Sequence, residues 1–86
     1  PHMGWADTEI NDSSQLFHGL TEVPRYYYVH SYHMVCDDAE MEISHARFGY
    51  RFVSGVALDN IMGVQFHPEK SHRHGMALLR NFVKQY

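Results

Sequence analysis

One pair of side chains in the sequence has the spacing of an acid–base couple. His67 and Glu69 flank Pro68, directly after an apolar run over residues 61–66 that predicts a buried strand. Proline disfavours the helical conformation at the residue before it, so we expect an extended segment in which both side chains project to the same side. A carboxylate beside an imidazole fixes one tautomer and leaves the other nitrogen as a general base for a nucleophile. The alternative is a surface His and Glu beside a turn, because three-residue patterns are common.

The elements around this pair predict an α/β fold. Aromatic, β-branched and alternating residues predict three earlier strands, over residues 26–32, 41–47 and 50–57. The first of these has apolar residues at successive positions, so we expect it to be buried on both faces. Residues 1–15 are mostly polar and predict a loop. Apolar residues recur on one helical face between residues 72 and 86, which predicts a final helix with Ser71 as its N-cap.

Length, composition and charge narrow the class of protein. The chain has 86 residues, of which 44% are hydrophobic, and 7 Lys and Arg stand against 10 Asp and Glu. These values predict one packed domain without the basic excess that nucleic acid binding requires. The apolar runs are far shorter than the ~18 residues of a membrane span, and no basic and apolar leader opens the chain. A single Cys excludes an internal disulfide, so we expect a cytoplasmic protein.

Three segments resemble hallmark sequences of the class I glutamine amidotransferases, which are glutaminases with a catalytic triad. They are VQFHPE over residues 64–69, continued by Lys70, Ser71 and His72, together with PHMGW over residues 1–5 and YVHSY over residues 28–32. Their order matches a branch of the family that supplies ammonia to a (β/α)₈-barrel cyclase in histidine biosynthesis. The resemblance implies that residues 1–86 are the C-terminal half of one amidotransferase domain. The implied fold is α/β, with a mainly parallel sheet, a local antiparallel segment over residues 41–57 and a C-terminal helix.

The same resemblance implies roles for individual residues. The family hydrolyses L-glutamine to glutamate and ammonia through a Cys thioester, so His67 is expected to activate the Cys and then water, and Glu69 to orient His67. The residues expected to bind the amino acid end of glutamine are His30, Ser31 and Tyr32. The residues expected to face the cyclase subunit are His2, Met3, Trp5, Tyr27 and Lys70. The resemblance implies no metal and no organic cofactor.

The sequence does not contain the nucleophile that the family uses. The family places it at a glycine-flanked turn of the G-C-x-G kind, whereas Cys36 has no flanking glycine and precedes Asp37 and Asp38. Neighbouring carboxylates raise the pKa of a thiol, so we interpret Cys36 as structural. We therefore expect residues 1–86 to be inactive alone and to need the N-terminal half of their domain. We also expect them to self-associate through an uncovered sheet edge.

Two further interpretations stay open within the amidotransferase resemblance. Ala6 stands where the family commonly has Asn, which leaves open a related amidotransferase that feeds a synthase of surface-sugar biosynthesis. A non-catalytic binding module is the other interpretation. A G-C-x-G turn upstream of these residues would distinguish the enzyme from the module.

A zinc site is a third interpretation, because the sequence is rich in histidine. The candidate ligands are His30, His33, His67, His72 and His74. Zinc needs three or four such ligands in tetrahedral geometry, and residues two apart on a helix do not share a face. The sequence therefore favours the acid–base interpretation over the metal site.

Overall fold

Strands dominate the chain, and one helix follows them. The structure is a computed structural model that describes residues 2–30, 34–59 and 61–85, with side chains for 3–30, 34–59 and 61–84. Its strands are β1 (His2–Asp7), β2 (Glu9–Ile10), β3 (Arg25–His30), β4 (Glu42–Phe48), β5 (Tyr50–Leu58), β6 (Ile61–Val64) and β7 (Phe66–His67). Its helix is α1 (His72–Gln85), and single 3₁₀ turns lie at Gln15–Phe17, Ala39–Met41 and Pro68–Lys70.

These strands form two antiparallel sheets. One sheet has the order β1-β3-β7 and the other has the order β2-β4-β5-β6, with every pair of neighbours antiparallel. The predicted parallel sheet is therefore wrong for the described residues, whereas the antiparallel segment over residues 41–57 is confirmed. Connection length explains the direction of β4 and β5, because Gly49 alone separates them and a parallel pair needs a crossover of a dozen or more residues.

Residues 1–15 and β3 both differ from the sequence expectation. Residues predicted as a loop form β1, which pairs along β3 from His2 with His30 to Asp7 with Arg25. Only alternate side chains of β3 are buried, with Tyr26 at the core and Val29 40% exposed. The expectation that β3 is buried on both faces is wrong, because its second face points away from the core.

The predicted last strand is divided between the two sheets. Its first part is β6, which pairs with β5, and its second part is β7, which pairs with β3. The chain changes sheets at Gln65, whose amide donates a hydrogen bond to the carbonyl of Ser54 at 2.8 Å. This change of sheet brings His67 to the end of a short strand at the edge of the sheet β1-β3-β7.

The core lies between the two sheets and α1. Tyr26 and Phe66 stack in it with ring centroids 3.9 Å apart, and Leu78 of α1 is buried with them. Asn81 fixes the helix to the 3₁₀ turn Gln15–Phe17 because its amide donates to the carbonyls of Leu16 and His18 at 3.0 and 2.8 Å. The predicted final helix is confirmed over His72–Gln85, and residue 86 lies outside the described residues.

Candidate active site

His67 and Glu69 meet as the sequence predicts. Nδ1 of His67 lies 3.0 Å from Oε2 of Glu69. This hydrogen bond is the main cause of a lowered pKa for Glu69, and the positive charge of Lys70 contributes further. An ionised carboxylate is an acceptor only, so Nδ1 donates to it, and the neutral imidazole in this arrangement has its lone pair on Nε2. The segment is a 3₁₀ turn rather than the extended strand that we expected, because the chain bends directly after His67.

Ser71 holds this turn to the sheet. Its side chain is buried, and Oγ accepts the amide N–H of Tyr27 at 2.9 Å and donates to the carbonyl of His67 at 2.5 Å. The predicted N-cap role of its hydroxyl is wrong, because the hydroxyl bridges β3 and β7 instead. The Ser71 carbonyl accepts a hydrogen bond from the amide of Gly75 in the first turn of α1, at 3.1 Å.

Gly75 lets α1 approach the turn. A Cβ atom at this position would lie 1.8 Å from the carbonyl oxygen of Pro68, which is far inside any tolerated contact. Sequence reasoning missed this residue. The available signal was a Gly within a helical pattern, which costs about 1 kcal/mol relative to Ala and therefore indicates a packing reason.

Three side chains form a row across one face of the sheet β1-β3-β7. Trp5 pairs with Tyr27 in register, and Tyr27 pairs with His67. The indole of Trp5 meets the ring of Tyr27 edge to face at a centroid distance of 5.8 Å, and Met3 on the same face of β1 is 69% exposed. The predicted catalytic base thus shares an open sheet face with residues predicted to contact the cyclase.

Lys70 and His2 are the remaining residues predicted to contact the cyclase. Lys70 is exposed at the end of the 3₁₀ turn, next to Glu69. The backbone of His2 pairs with that of His30 at the start of β1. The contact role of all five residues stays a prediction.

The predicted glutamine-binding segment is only partly described. The imidazole of His30 packs against Phe52 and Tyr28 at centroid distances of 5.0 and 5.8 Å, on the face of β3 opposite to His67. His30 also lies roughly 10 Å along β3 from Tyr27, the register partner of His67, at ~3.4 Å per residue. The structure therefore does not bring the side chains of His30 and His67 together. Ser31 and Tyr32 lie outside the described residues, and their role stays a prediction.

The thiol of Cys36 is in an unfavourable setting for a nucleophile. Partial burial raises the pKa of Cys36, and the carboxylates of Glu42, Asp37 and Asp38 raise it further. The predicted direction is confirmed, although burial contributes more than the two neighbouring aspartates. A raised pKa lowers the thiolate fraction at neutral pH, which agrees with the interpretation of Cys36 as structural.

Other histidines have contacts of their own. Nδ1 of His74 accepts the amide of Arg25 at 3.0 Å, and its Nε2 lies 3.2 Å from a carboxylate oxygen of Glu22. His72 stacks on Trp5. Within residues 2–30, 34–59 and 61–85, no three His, Cys, Asp or Glu side chains converge in the way that a metal ion requires.

The sequence as a whole matches a known family. The family model for class I glutamine amidotransferases matches residues 1–86. The chain belongs to this family. The resemblance that the three motifs indicated is therefore confirmed. In this class I amidotransferase chain, the described parts of the first two motifs lie on β1 and β3, and the third motif runs from the end of β6 through β7 into the 3₁₀ turn Pro68–Lys70.

Several curated relatives of this amidotransferase chain carry the same name. The imidazole glycerol phosphate synthase subunit HisH of Sulfurimonas denitrificans is 51% identical over 84 residues, which cover 98% of this chain and 40% of the relative. Subunits named HisH 2 from Methanococcus maripaludis and Pseudomonas aeruginosa are 46% and 44% identical, over 99% and 98% of this chain and 42% of each relative. The chain thus spans about two-fifths of the length of these relatives.

No helix among the described residues combines the length and the apolar character that crossing a bilayer requires.

Proposed function

We propose that this chain carries the general base and the orienting carboxylate of a glutaminase that converts L-glutamine and water to glutamate and ammonia. The hydrogen bond between Nδ1 of His67 and Oε2 of Glu69, at 3.0 Å, is the observation that supports it. This bond leaves Nε2 of His67 as the proton acceptor, and the imidazole side chain is 37% exposed, so a reacting group can reach it.

The chemistry then runs through a Cys that this chain does not provide. Nε2 of His67 takes the thiol proton, and the thiolate attacks the side-chain amide carbon of glutamine. The imidazolium returns the proton to the departing nitrogen, which leaves as ammonia, and a thioester stays behind. His67 then removes a proton from water, which attacks the thioester, releases glutamate and expels the Cys thiolate, and the imidazolium returns the proton to that thiolate. Glu69 stabilises the imidazolium in both steps.

The rest of the domain and the partner are part of the same proposal. Residues 1–86 form the C-terminal half of the amidotransferase domain, and the N-terminal half supplies the Cys. The ammonia passes to a (β/α)₈-barrel cyclase that makes imidazole glycerol phosphate in histidine biosynthesis, in the cytoplasm. The names of the HisH relatives support this assignment. The surface proposed for docking is the sheet face with the exposed side chains of Met3 and Trp5, together with the exposed Lys70. His2 and Tyr27 complete the set of residues proposed to contact the cyclase.

A chimera tests this function. Residues 1–86 replace the matching part of the HisH subunit of Sulfurimonas denitrificans, which supplies the remaining length of the domain. With the cyclase subunit of that organism present, we expect release of glutamate and ammonia from glutamine by the chimera and none by residues 1–86 alone. A folded chimera without turnover would contradict the proposed function. Turnover by residues 1–86 alone would contradict the assignment of the nucleophile to the missing half.

A further inference from the structure

The hydroxyl of Ser71 lies between two backbone groups that belong to the candidate site. Tyr27 and His67 are register partners on β3 and β7. The Ser71 hydroxyl accepts the amide N–H of Tyr27 at 2.9 Å and donates to the carbonyl of His67 at 2.5 Å. A single buried oxygen therefore fixes the peptide group of His67 relative to the central strand of its sheet.

All the polar groups of Ser71 are engaged. Besides the two hydroxyl bonds, its amide donates to the carbonyl of Pro68 at 3.0 Å and its carbonyl accepts the amide of Gly75 at 3.1 Å. The residue is 1% exposed. Four hydrogen bonds and burial leave Ser71 a single position, since a displaced serine would leave buried polar groups without partners.

The bonds of Ser71 also close the turn that carries Glu69. His67 and Ser71 flank the 3₁₀ turn Pro68–Lys70, and the hydroxyl of Ser71 donates a hydrogen bond to the carbonyl of His67. Glu69 reaches back from within this closed turn to Nδ1 of His67. We propose that Ser71 is a positioning residue, which holds the His67 imidazole and the Glu69 carboxylate in the geometry that keeps the proton on Nδ1.

This role deepens the proposed glutaminase function and rests on it. A serine that only hydrogen-bonds backbone groups at the end of a strand would affect the free energy of unfolding but not the tautomer of the His67 imidazole. A positioning serine affects the tautomer of His67, and in the enzyme it affects the chemical step more than substrate binding. The two roles therefore predict different results for the same substitution.

The first experiment measures the tautomer of His67 by ¹⁵N chemical shifts in residues 1–86. We expect one Nδ1–H tautomer in the wild type and in Ser71→Thr, and a mixture in Ser71→Ala. Ser54→Ala is the matched control, because Ser54 is equally buried and its hydroxyl bonds Ser44 at 2.8 Å in the other sheet. We expect this control to keep the wild-type tautomer.

Ser71→Cys keeps the proposal testable if Ser71→Ala does not fold. It fills nearly the same volume and offers only a weak S–H donor, so we expect the mixed tautomer here too. The wild-type tautomer in a folded Ser71→Ala or Ser71→Cys chain would overturn the proposal. A mixed tautomer in Ser54→Ala would overturn it as well, because general loosening would then explain the effect.

The second experiment uses the chimera with its cyclase subunit. We expect Ser71→Ala to lower kcat on the order of 10- to 100-fold, since small misplacements of catalytic groups have effects of this size. The KM for glutamine should change less than about twofold, because uniform substrate binding is not affected. Ser71→Thr should restore most of kcat, and Ser54→Ala should leave it unchanged.

The two experiments separate the failure of this inference from the failure of the proposed function. A wild-type chimera without turnover rejects the glutaminase, while the ¹⁵N shifts still decide whether Ser71 sets the tautomer. An active wild-type chimera whose kcat is unaffected by Ser71→Ala rejects the positioning role alone. A rise in KM with kcat unchanged also rejects that role, because it would place Ser71 in substrate binding.

Discussion

The imidazole of His72 lies flat against the indole of Trp5, with ring centroids 5.3 Å apart and ring planes 9° from parallel. His72 begins α1 with a φ of 49°, a left-handed conformation that Asn tolerates better than most residues. The first residue of the helix therefore covers one side of an aromatic residue on the first strand. Ring pairs of this kind contribute about 0.5–1.5 kcal/mol beyond the area that they bury.

This stack predicts a change in tryptophan fluorescence. His72→Asn removes the ring and keeps a residue that accepts the backbone conformation, so one face of the indole becomes open to water. Because Trp5 is the only Trp, we expect a red-shifted emission and faster quenching by acrylamide. His18→Asn, at another exposed histidine, is the control and should leave both unchanged. Equal quenching of wild type and His72→Asn would disprove the stack.

Gly75→Ala should destabilise the chain, although alanine is the better helix former. The intrinsic gain is about 1 kcal/mol, but the added Cβ would lie 1.8 Å from the Pro68 carbonyl oxygen. Overpacking of this kind typically costs about 1–3 kcal/mol, so we expect a net loss in the free energy of unfolding in urea. Gly63→Ala is the control, because its nearest contact would be an ordinary 3.8 Å from Val56. A more stable Gly75→Ala chain would contradict the close approach of α1 to the turn.

Glu69 should contribute stability that disappears in acid. Its pKa is lowered in the folded chain, chiefly by the hydrogen bond from His67, so its contribution is present above the unfolded pKa of about 4.5 and is lost as pH falls through the folded value. We expect Glu69→Gln to unfold more easily than wild type near neutral pH, with a difference that shrinks as the pH falls below the unfolded pKa of about 4.5. Because Glu69 is exposed, added salt should reduce the difference.

The control for this pH dependence is Glu40→Gln, which changes an exposed glutamate in another 3₁₀ turn. Urea unfolding of the three chains over the acidic range provides the comparison. A difference between wild type and Glu69→Gln that grows on acidification would contradict the sign.

The two candidate catalytic residues should differ in the size of their effects. In the chimera we expect His67→Gln to lower kcat by about 10²- to 10⁴-fold, which is the usual range for loss of a general base. Glu69→Gln keeps the imidazole but replaces its ionised partner, so we expect a smaller loss, on the order of tenfold or more. Glu40→Gln is again the control. Wild-type kcat in His67→Gln would remove His67 from the mechanism.

Self-association of residues 1–86 should depend on the open face of α1. Met76 and Val83 on this helix are 58% and 78% exposed, and neighbouring apolar side chains extend the same patch. Contiguous exposed apolar patches drive association, so we expect Met76→Lys with Val83→Lys to lower the sedimentation coefficient at high protein concentration. Arg80→Gln is the control on the same helix. Ile61→Lys tests the alternative, because Ile61 is 72% exposed on the edge strand β6.

Local chemistry allowed much of the site to be predicted from sequence. The two-residue spacing predicted that His67 and Glu69 meet, although a 3₁₀ turn and not the expected extended segment brings them together. The helix after Ser71 followed from the period of its apolar residues. The hydroxyl of Ser71 could not be assigned, because a cap and a bridge between strands need the same residue type, and only the tertiary structure decides between them.

The direction of the strands could not be predicted from the sequence pattern, because it also depends on the tertiary structure. Hydrophobic period shows that residues 26–32 and 61–66 prefer strands, but it does not show which strands are neighbours. The parallel sheet was carried over from the resemblance to a larger domain, of which this chain covers about two-fifths. The division of the last strand at Gln65, and the register that aligns Tyr27 with His67, depend on long-range pairing.

The register of Trp5, Tyr27 and His67 sets the distance between the surface proposed for docking and the proposed base. Adjacent strands lie about 4.8 Å apart, so the indole and the imidazole stand only two strand spacings, roughly 10 Å, from each other across the sheet. In the proposed function, a partner that contacts the indole of Trp5 would lie within this distance of the imidazole, with Tyr27 on the strand between them. The surface proposed for docking and the proposed base would then share one small patch of a single three-stranded sheet.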